Sequence, residues 1–337
     1  MRKASVEIKI QGKDVSMDLA PHLLSLSYTD NADAELDDLQ FSLEDRDKLW
    51  QGDWLPKHGD VISVKIITEN FRDEEREELD CGEFEVDELT LETGFDGGDI
   101  VGIKAVPACA KSSLMLERKT RAWADAPLYT VAADVVGPAG LDLLYKAPEI
   151  VFGRVEQRQE SDLAFLQRIV QEQGLRLCLK KKMAVIYSGQ MADQLEPLEI
   201  KRAECDFASA SFKRTLDDVY SQCVLGYTEA DTSETVDKEF SPEIPPTTGK
   251  VLTVNKRIEN PAQAERVAKA ELRAKNCKEM TASLSGMGDT RLIAGTVLQL
   301  SGWGKFDSGY VIAKASHNVS RDSGYTTSVE LEKALDY

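Results

Sequence analysis

Along most of its length the chain alternates apolar and polar residues in short runs broken by turn-forming residues, the two-residue period of half-buried β-strands. Val6–Ile10, the turn Gln11-Gly12-Lys13-Asp14 and Val15-Ser16-Met17-Asp18-Leu19 read as a hairpin. Leu23–Tyr28, Leu39–Leu43, Val61–Ile67, Gly82–Leu91 and Asp99–Val106 read as further strands, with no long helical pattern between them. So many short strands in succession predict a barrel or sandwich over residues 1–107. The charge block Asp73-Glu74-Glu75-Arg76-Glu77-Glu78 reads as a solvated loop between two of these strands.

The period changes after Pro107. Leu128–Val136 reads as a short helix stopped by Gly137-Pro138. A second helix is predicted over 161–173: Ser161 caps it, Asp162 complements its positive end, and Gly174 supplies a left-handed exit. Leu163, Leu166, Ile169 and Val170 share one face of it at three- and four-residue spacing. Leu175–Leu179 and Met183–Tyr187 then form a hairpin whose tip, Lys180-Lys181-Lys182, is expected in solvent. Residues 108–198 are therefore an α+β insertion. From 199 strands return, interrupted by an unpatterned stretch, 228–250, that contains Pro242 and Pro245-Pro246 and is expected to be an exposed loop. A helix is predicted over 261–275, with Asn260 as cap, Pro261 at the first position and Gln263 where a capping-box partner stands.

The last part of the chain is a meander of strands. Gly295, Gly302, Gly304, Gly309 and Gly324 are expected at turns or close backbone approaches, with Tyr310 and Tyr325 as packing residues in strands. Trp303 reads first as a core or rim anchor and second as an interface hot spot; His317 reads as a satisfied packing histidine rather than a catalytic base. The Gly286-Met287-Gly288-Asp289 segment reads as a loop, since a lone GxG is too weak to indicate a nucleotide site. The fold class is α+β, mainly β: one β unit at 1–107, the insertion at 108–198, and a second β unit at 199–337 carrying one helix.

Composition narrows the function. At 337 residues, with 42% hydrophobic and 30% charged residues, the chain has the material for several folded domains rather than a disordered tail. The N-terminus lacks the apolar core of an export signal, and no run of apolar residues is long enough to span a membrane. Cys81, Cys109, Cys178, Cys205, Cys223 and Cys277 form no CxxC pair, and His22, His58 and His317 are too few and too scattered for an imidazole metal centre. No cofactor or metal is therefore expected. A net charge of −18 opposes nucleic-acid binding and serves solubility; lining a channel, it would keep polyanions from sticking to the wall.

Two segments carry a family resemblance. Ile293-Ala294-Gly295, Gly302-Trp303-Gly304, Gly309-Tyr310, His317 and Gly324-Tyr325-Thr326-Thr327 follow one another in an order that resembles the C-terminal barrel of the phage late control D proteins, the baseplate hubs of contractile tails. Glu160-Ser161-Asp162, Phe165 and the Gly174 exit resemble a segment shared by those proteins and the valine-glycine-repeat spikes of type VI secretion. The N-terminal strands match only in pattern. The resemblance implies two similar tube-type β-barrel domains flanking the insertion. It further implies a homotrimer whose barrels form a pseudo-six-fold ring between a six-fold tail tube and a three-fold spike. The partners implied are the tail tube protein, a central spike supplied as a separate polypeptide because this chain ends at Tyr337, and a tape-measure protein in the lumen. The location implied is the tail baseplate of a virion or tail-like particle assembled in the bacterial cytoplasm. Two other classes compete: a cell-wall-degrading hydrolase of glycosidase type, and a carbohydrate-binding β-protein. Neither a singled-out carboxylate pair nor a nucleophile elbow, HExxH helix or P-loop supports the first, so no catalytic residue is assigned.

Overall fold

The computed structural model describes residues 2–32, 36–52, 54–71, 75–94, 98–108, 113–190, 195–228, 235–256, 258 and 260–337. The first part of the chain supplies β1 (Lys3–Ile10), β2 (Lys13–Asp14), the one-turn helix α1 (Ser16–Leu19), β3 (Leu23–Asn31), β4 (Asp38–Glu44), β5 (Val61–Glu69), β6 (Arg76–Gly94) and β7 (Gly98–Pro107). The middle supplies α2 (Ser113–Leu116), β8 (Arg118–Pro127), α3 (Leu128–Val136), β9 (Asp142–Lys146), β10 (Val151–Ser161), α4 (Asp162–Glu172), β11 (Arg176–Lys180) and β12 (Met183–Tyr187). The remainder supplies β13 (Leu198–Lys201), β14 (Phe207–Arg214), β15 (Gln222–Thr228), β16 (Thr235–Phe240), β17 (Val251–Asn255), α5 (Pro261–Asn276), β18 (Met280–Met287), β19 (Val297–Ser301), β20 (Ser308–Ser320) and β21 (Gly324–Lys333).

Thirteen strands form one sheet, in the order β14-β18-β21-β20-β3-β4-β7-β6-β5-β1-β2, with β19 and β13 branching from β20. The two ends of the chain repeat a pattern. Taken in chain order, β1, β3, β4, β5, β6 and β7 lie side by side as second, third, sixth, fifth, fourth, first; β13, β14, β18, β19, β20 and β21 lie in that same order. They differ in one direction: β1 runs antiparallel to β5, whereas β13 runs parallel to β19.

No closed barrel is found among the described residues. Among the described residues no ladder joins β3 to β1 or β14 to β13, and neither half closes. The reason lies in β20. Its first residues pair with β19 and, past a bulge between Ile312 and Lys314, residues 314–320 pair with β3 of the other half. A strand edge satisfies its backbone groups once, so the edge of β3 that would close the first half is spent on the joint between halves.

Three local expectations also change. Val15–Leu19 does not return as a strand: Ser16 accepts from the Ile8 N–H (2.9 Å) and donates to Asp14 (2.6 Å), which turns the chain into α1, and β1 pairs with β5 instead. Within the charge block, Asp73 and Glu74 lie outside the described residues, but Arg76, Glu77 and Glu78 belong to β6, where Glu78 faces Lys65 and Arg76. In 228–250, residues 229–234 lie outside the description and Thr235–Phe240 forms β16, an edge strand on β15 opposite β17. Cys109 also lies outside the described residues.

Four apolar clusters result. One fills the first half, with Leu26, Phe41, Ile66 and Phe84, and takes in Tyr325 from the second. Another fills the second half around Leu284, Leu298, Tyr310 and Ile312. A third, with Val131, Phe165, Leu166 and Ile186, belongs to the middle segment. The fourth packs α5, through Val267, Ala268 and Leu272, on Cys223 and Leu225 of β15.

Gly174 tests how these parts meet. Its φ is +70°, and a Cβ there would stand 2.7 Å from the Arg266 carbonyl oxygen of α5. Gly140 has φ +71° with nothing within 4 Å of such a Cβ. Gly140→Ala is expected to cost about 1 kcal/mol, the strain of left-handed backbone alone. Gly174→Ala should lower the urea midpoint clearly further, by the added displacement of α5; equal losses in the two variants would contradict the packing described.

Candidate functional site

The polar chemistry of this chain is concentrated where its parts join, and the first joint is the hairpin tip between β11 and β12. Lys180 donates to Asp37 (2.7 Å) and to Asp30, both in or beside the β3–β4 segment of the first half. Lys181 meets Asp80 at 2.9 Å and Lys182 meets Glu83 at 3.0 Å, both on β6. Lys181 and Lys182 remain exposed at the tip, whereas Lys180 is drawn in as a clamp on the acidic face of the first half. Its partners are remote in sequence, so alternation and turn chemistry gave no sign of them.

The two carboxylates are nearly fully buried. Asp30 also accepts the Ala294 N–H at 2.8 Å, and Asp37 accepts the Asn31 N–H at 3.0 Å and the Tyr28 hydroxyl at 3.3 Å. Burial, helped by the Asp30 charge, raises the pKa of Asp37 against the pull of Lys180. For Lys180 burial works downward, but the two carboxylates outweigh it and hold the ammonium above the ordinary lysine value.

The second joint is the β3–β20 seam, where His317 pairs with Tyr28. His317 is fully buried, its Nε2 lying 3.0 Å from the Leu292 carbonyl and its Nδ1 2.8 Å from the Tyr325 hydroxyl and 3.2 Å from Thr327 Oγ1. A carbonyl only accepts, so Nε2 carries the proton and Nδ1 accepts. The ring stacks between Tyr28 and Tyr325, each 6.0 Å away. Burial pulls its pKa down to about 4, despite the Asp30 charge. Gly288 makes room for this stack, since a Cβ there would fall 2.0 Å from the Tyr325 ring.

The third joint surrounds α4. Ser161 Oγ caps it by accepting the Ala164 N–H at 3.2 Å. Asp162, buried, accepts from Lys119 (2.8 Å), Gln157 (2.9 Å) and Arg121, while Glu160 pairs with Arg168 at 2.6 Å. Phe165 stacks on Trp123 at 5.3 Å. At the other end Gly174 abuts α5. Gln263, in the first turn of α5, donates from its Nε2 to the Glu172 carbonyl at 3.1 Å, ending α4 with a donor from α5.

The remaining sequence candidates lie in the second half. Gly295, Gly302, Gly304 and Gly324 all have positive φ, and Gly309 is paired with Gln299. Asp307 accepts the Gly302 and Trp303 N–H groups at 3.1 and 2.6 Å, closing that turn. Trp303 is half-buried against Phe212, 5.7 Å away, and Tyr310 is buried with its hydroxyl donating to the Phe306 carbonyl at 2.9 Å. The structure therefore brings Gly302, Trp303, Gly304 and Tyr310 together, joins His317 to Tyr325, and keeps Glu160, Ser161, Asp162 and Phe165 in a different core. Asp30, Asp37, Lys180, Arg121 and Gln157 were missed. Among the described residues no group of three or more His, Cys, Asp or Glu is placed to hold a metal ion, and no helix is long and apolar enough to cross a membrane.

Two outcomes follow. Lys180→Met leaves Asp30 and Asp37 buried without their cation and is expected to cost about 3 kcal/mol in urea unfolding. Adding Asp30→Asn and Asp37→Asn should recover most of that loss; no recovery would mean that Lys180 acts by packing alone. His317 has a native pKa of about 4 against about 6.5 unfolded, so between those values the unfolded chain binds the extra proton and stability falls as pH is lowered. Wild type should lose up to about 3 kcal/mol more than His317→Asn between pH 7 and pH 4, by parallel denaturation curves.

The comparisons with known proteins agree with this architecture. A YQBQ-like family model matches residues 165–332. The probable baseplate hub protein of Escherichia phage 186 is 24% identical over 97% of this chain and 92% of its own length. The tail protein of Neisseria meningitidis MC58 superposes with a TM-score of 0.74 at 14% identity, covering 98% of this chain and 97% of that one. An E. coli type VI secretion component, described as similar to the T4 tail proteins gp27 and gp5, superposes with a TM-score of 0.57 at 12% identity, over 99% of this chain and 77% of that one. The chain is a homologue of the phage baseplate hub proteins, with the mainly β fold of phage tail proteins and of a type VI secretion component.

Proposed function

We propose that the chain is the structural hub of a contractile phage tail or a tail-like particle, placed at the tail baseplate, and that three copies close into a ring around a channel. The observation that carries this reading is the repeated strand order: each chain holds the same six-strand arrangement twice, fused through β3 and β20. Three such chains would present six alike β units. That ring would match a six-fold tail tube on one side and a three-fold spike on the other. The two units are the tube-type domains of this reading and the middle segment, 108–198, the insertion between them.

The ends of the sheet favour closure between chains. β14 terminates it on one side and β1 with the two-residue β2 on the other, and among the described residues neither end has a further strand. Open edges seek partners, and a head-to-tail contact that closes on itself uses one end of each subunit against the other end of the next. Tail tube protein, a separate central spike and a tape-measure protein in the lumen are the partners of this reading, and its function is adaptation and load transfer rather than turnover.

Light scattering on the purified chain, alone and mixed with a candidate trimeric spike protein, tests the ring. A mass of three chains is expected, at the latest in the presence of the spike. A monomer or dimer under both conditions would refute the ring, and Ala210→Pro in β14 should lower the trimer fraction if that edge takes part in closure.

A further inference from the structure

Between the middle segment and α5 lies a cleft of about 790 Å³, within the usual size of ligand clefts. Its charge opposes that of the whole protein. Lys146, Arg176, Lys256, Arg266, Lys269 and Arg273 line it against a single carboxylate side chain, Glu271, on a chain whose net charge is −18. Glu271 is already taken by Lys256 at 2.5 Å. Lys269 leans on Glu265 at 3.4 Å, and Arg273 donates to main-chain oxygens of Leu335, Tyr337 and Gly189. Arg266 differs in its counter-charges. One of its terminal nitrogens reaches the neutral Gln173 side chain at 3.1 Å, its Nε, like that of Arg273, is buried with no hydrogen-bond partner, and no side-chain carboxylate among the described residues pairs with it or with Lys146. Burial lowers the pKa of Arg266, as expected of a guanidinium without a counter-charge.

A partly desolvated cation with an unmet donor is costly until an anion arrives. We propose that this cleft is a docking site for an extended acidic peptide segment of a partner protein, whose carboxylates seat on Arg266 and Lys146. The spacing favours a peptide over a small oxyanion. Arg266, Lys269 and Arg273 stand three and four residues apart, so they form a row about 10 Å long on one face of α5. Alternate side chains of an extended peptide lie about 7 Å apart and can follow such a row, whereas a single phosphate reaches only part of it. The cleft also lacks the glycine-rich loop and helix N-terminus that phosphate sites use, because α5 presents its middle, not its first turn.

The test is fluorescence anisotropy of a labelled decapeptide of alternating Glu and Ser, titrated with the full chain at low salt. Saturable binding is expected, weakened at least about tenfold by Arg266→Glu and by Lys146→Glu, and unchanged by Lys305→Glu on the exposed turn after Trp303. Circular dichroism identifies a variant that fails to fold; should Arg266→Glu do so, Lys146→Glu, at the end of β9, carries the result. A matched peptide of alternating Gln and Ser should not bind. Absence of binding to the wild-type chain, an equal loss in Lys305→Glu, or binding of tripolyphosphate without binding of the acidic peptide would each overturn the proposal. The outcome does not depend on whether the chain forms a ring.

Discussion

One buried carboxylate sets the relative placement of three distant parts of this molecule. Asp30 stands near the end of β3, holds the Lys180 ammonium with one oxygen and accepts the Ala294 N–H with the other. The first half, the middle segment and the second half thus converge on a single side chain. A carboxylate removed from water must find its partners or give up its charge, and this requirement is directional in a way that apolar contact is not. A hairpin tip that missed its seat would leave both Asp30 and Asp37 unpaired, so incorrect dockings of β11 and β12 are disfavoured. The same side chain fixes the turn that carries Ala294 and, through it, the approach to β19.

Polar joints between separate apolar cores give this chain its mechanical character. Each core is filled mainly by its own segment, with Tyr325 reaching from the second half into the first, while the seams are made of the lysine clamp, the His317 stack and the α4–α5 contact. Close-packed cores resist deformation, and seams built from short directional bonds resist sliding. The seam at His317 adds a condition of its own. A neutral imidazole with both nitrogens satisfied and a tyrosine on either face leaves no slack between β3 and β20. Any force applied to one half of the sheet is therefore passed to the other.

What could be read from the sequence was local. Ser161 and Asn260 are legible as caps because a short oxygen-bearing side chain satisfies an N–H three residues on, within one turn of chain. The β3, β4, β5 and β7 segments are legible from alternation, since one face of each is buried. What could not be read was long-range. Lys180 looks like any lysine at a hairpin tip until Asp30 and Asp37, some 150 residues away, are placed beneath it. Gly174 announces a helix exit, but its contact with the Arg266 carbonyl depends on where α5 lies. Gln263 fits a capping box by spacing, but nothing in that spacing announces its donation to the Glu172 carbonyl of α4. The joining of the two halves through β3 and β20 was hidden for the same reason, because alternation specifies strands and faces but not which edge meets which.

The choice of edges bears on assembly. A closed barrel has no free edges and gains nothing from a neighbour's backbone. Here the β3 edge is used to join the halves, and β20 serves β19 and β3 along successive stretches of one side. The repeat of strand order means that each half lacks the closure its own topology would permit, and the sheet is left open at β14 and at β1. Among the described residues this sheet thus ends at β14 and at β1 with β2, while its β19 branch ends at β13. A subunit with one open end of each kind is suited to heterologous contact, and whether such contacts make a ring or a filament depends only on the rotation between neighbours. The fusion of the halves through β3 and β20 holds the two ends in a fixed relation within each subunit, and a fixed rotation is the condition under which a ring of defined size closes.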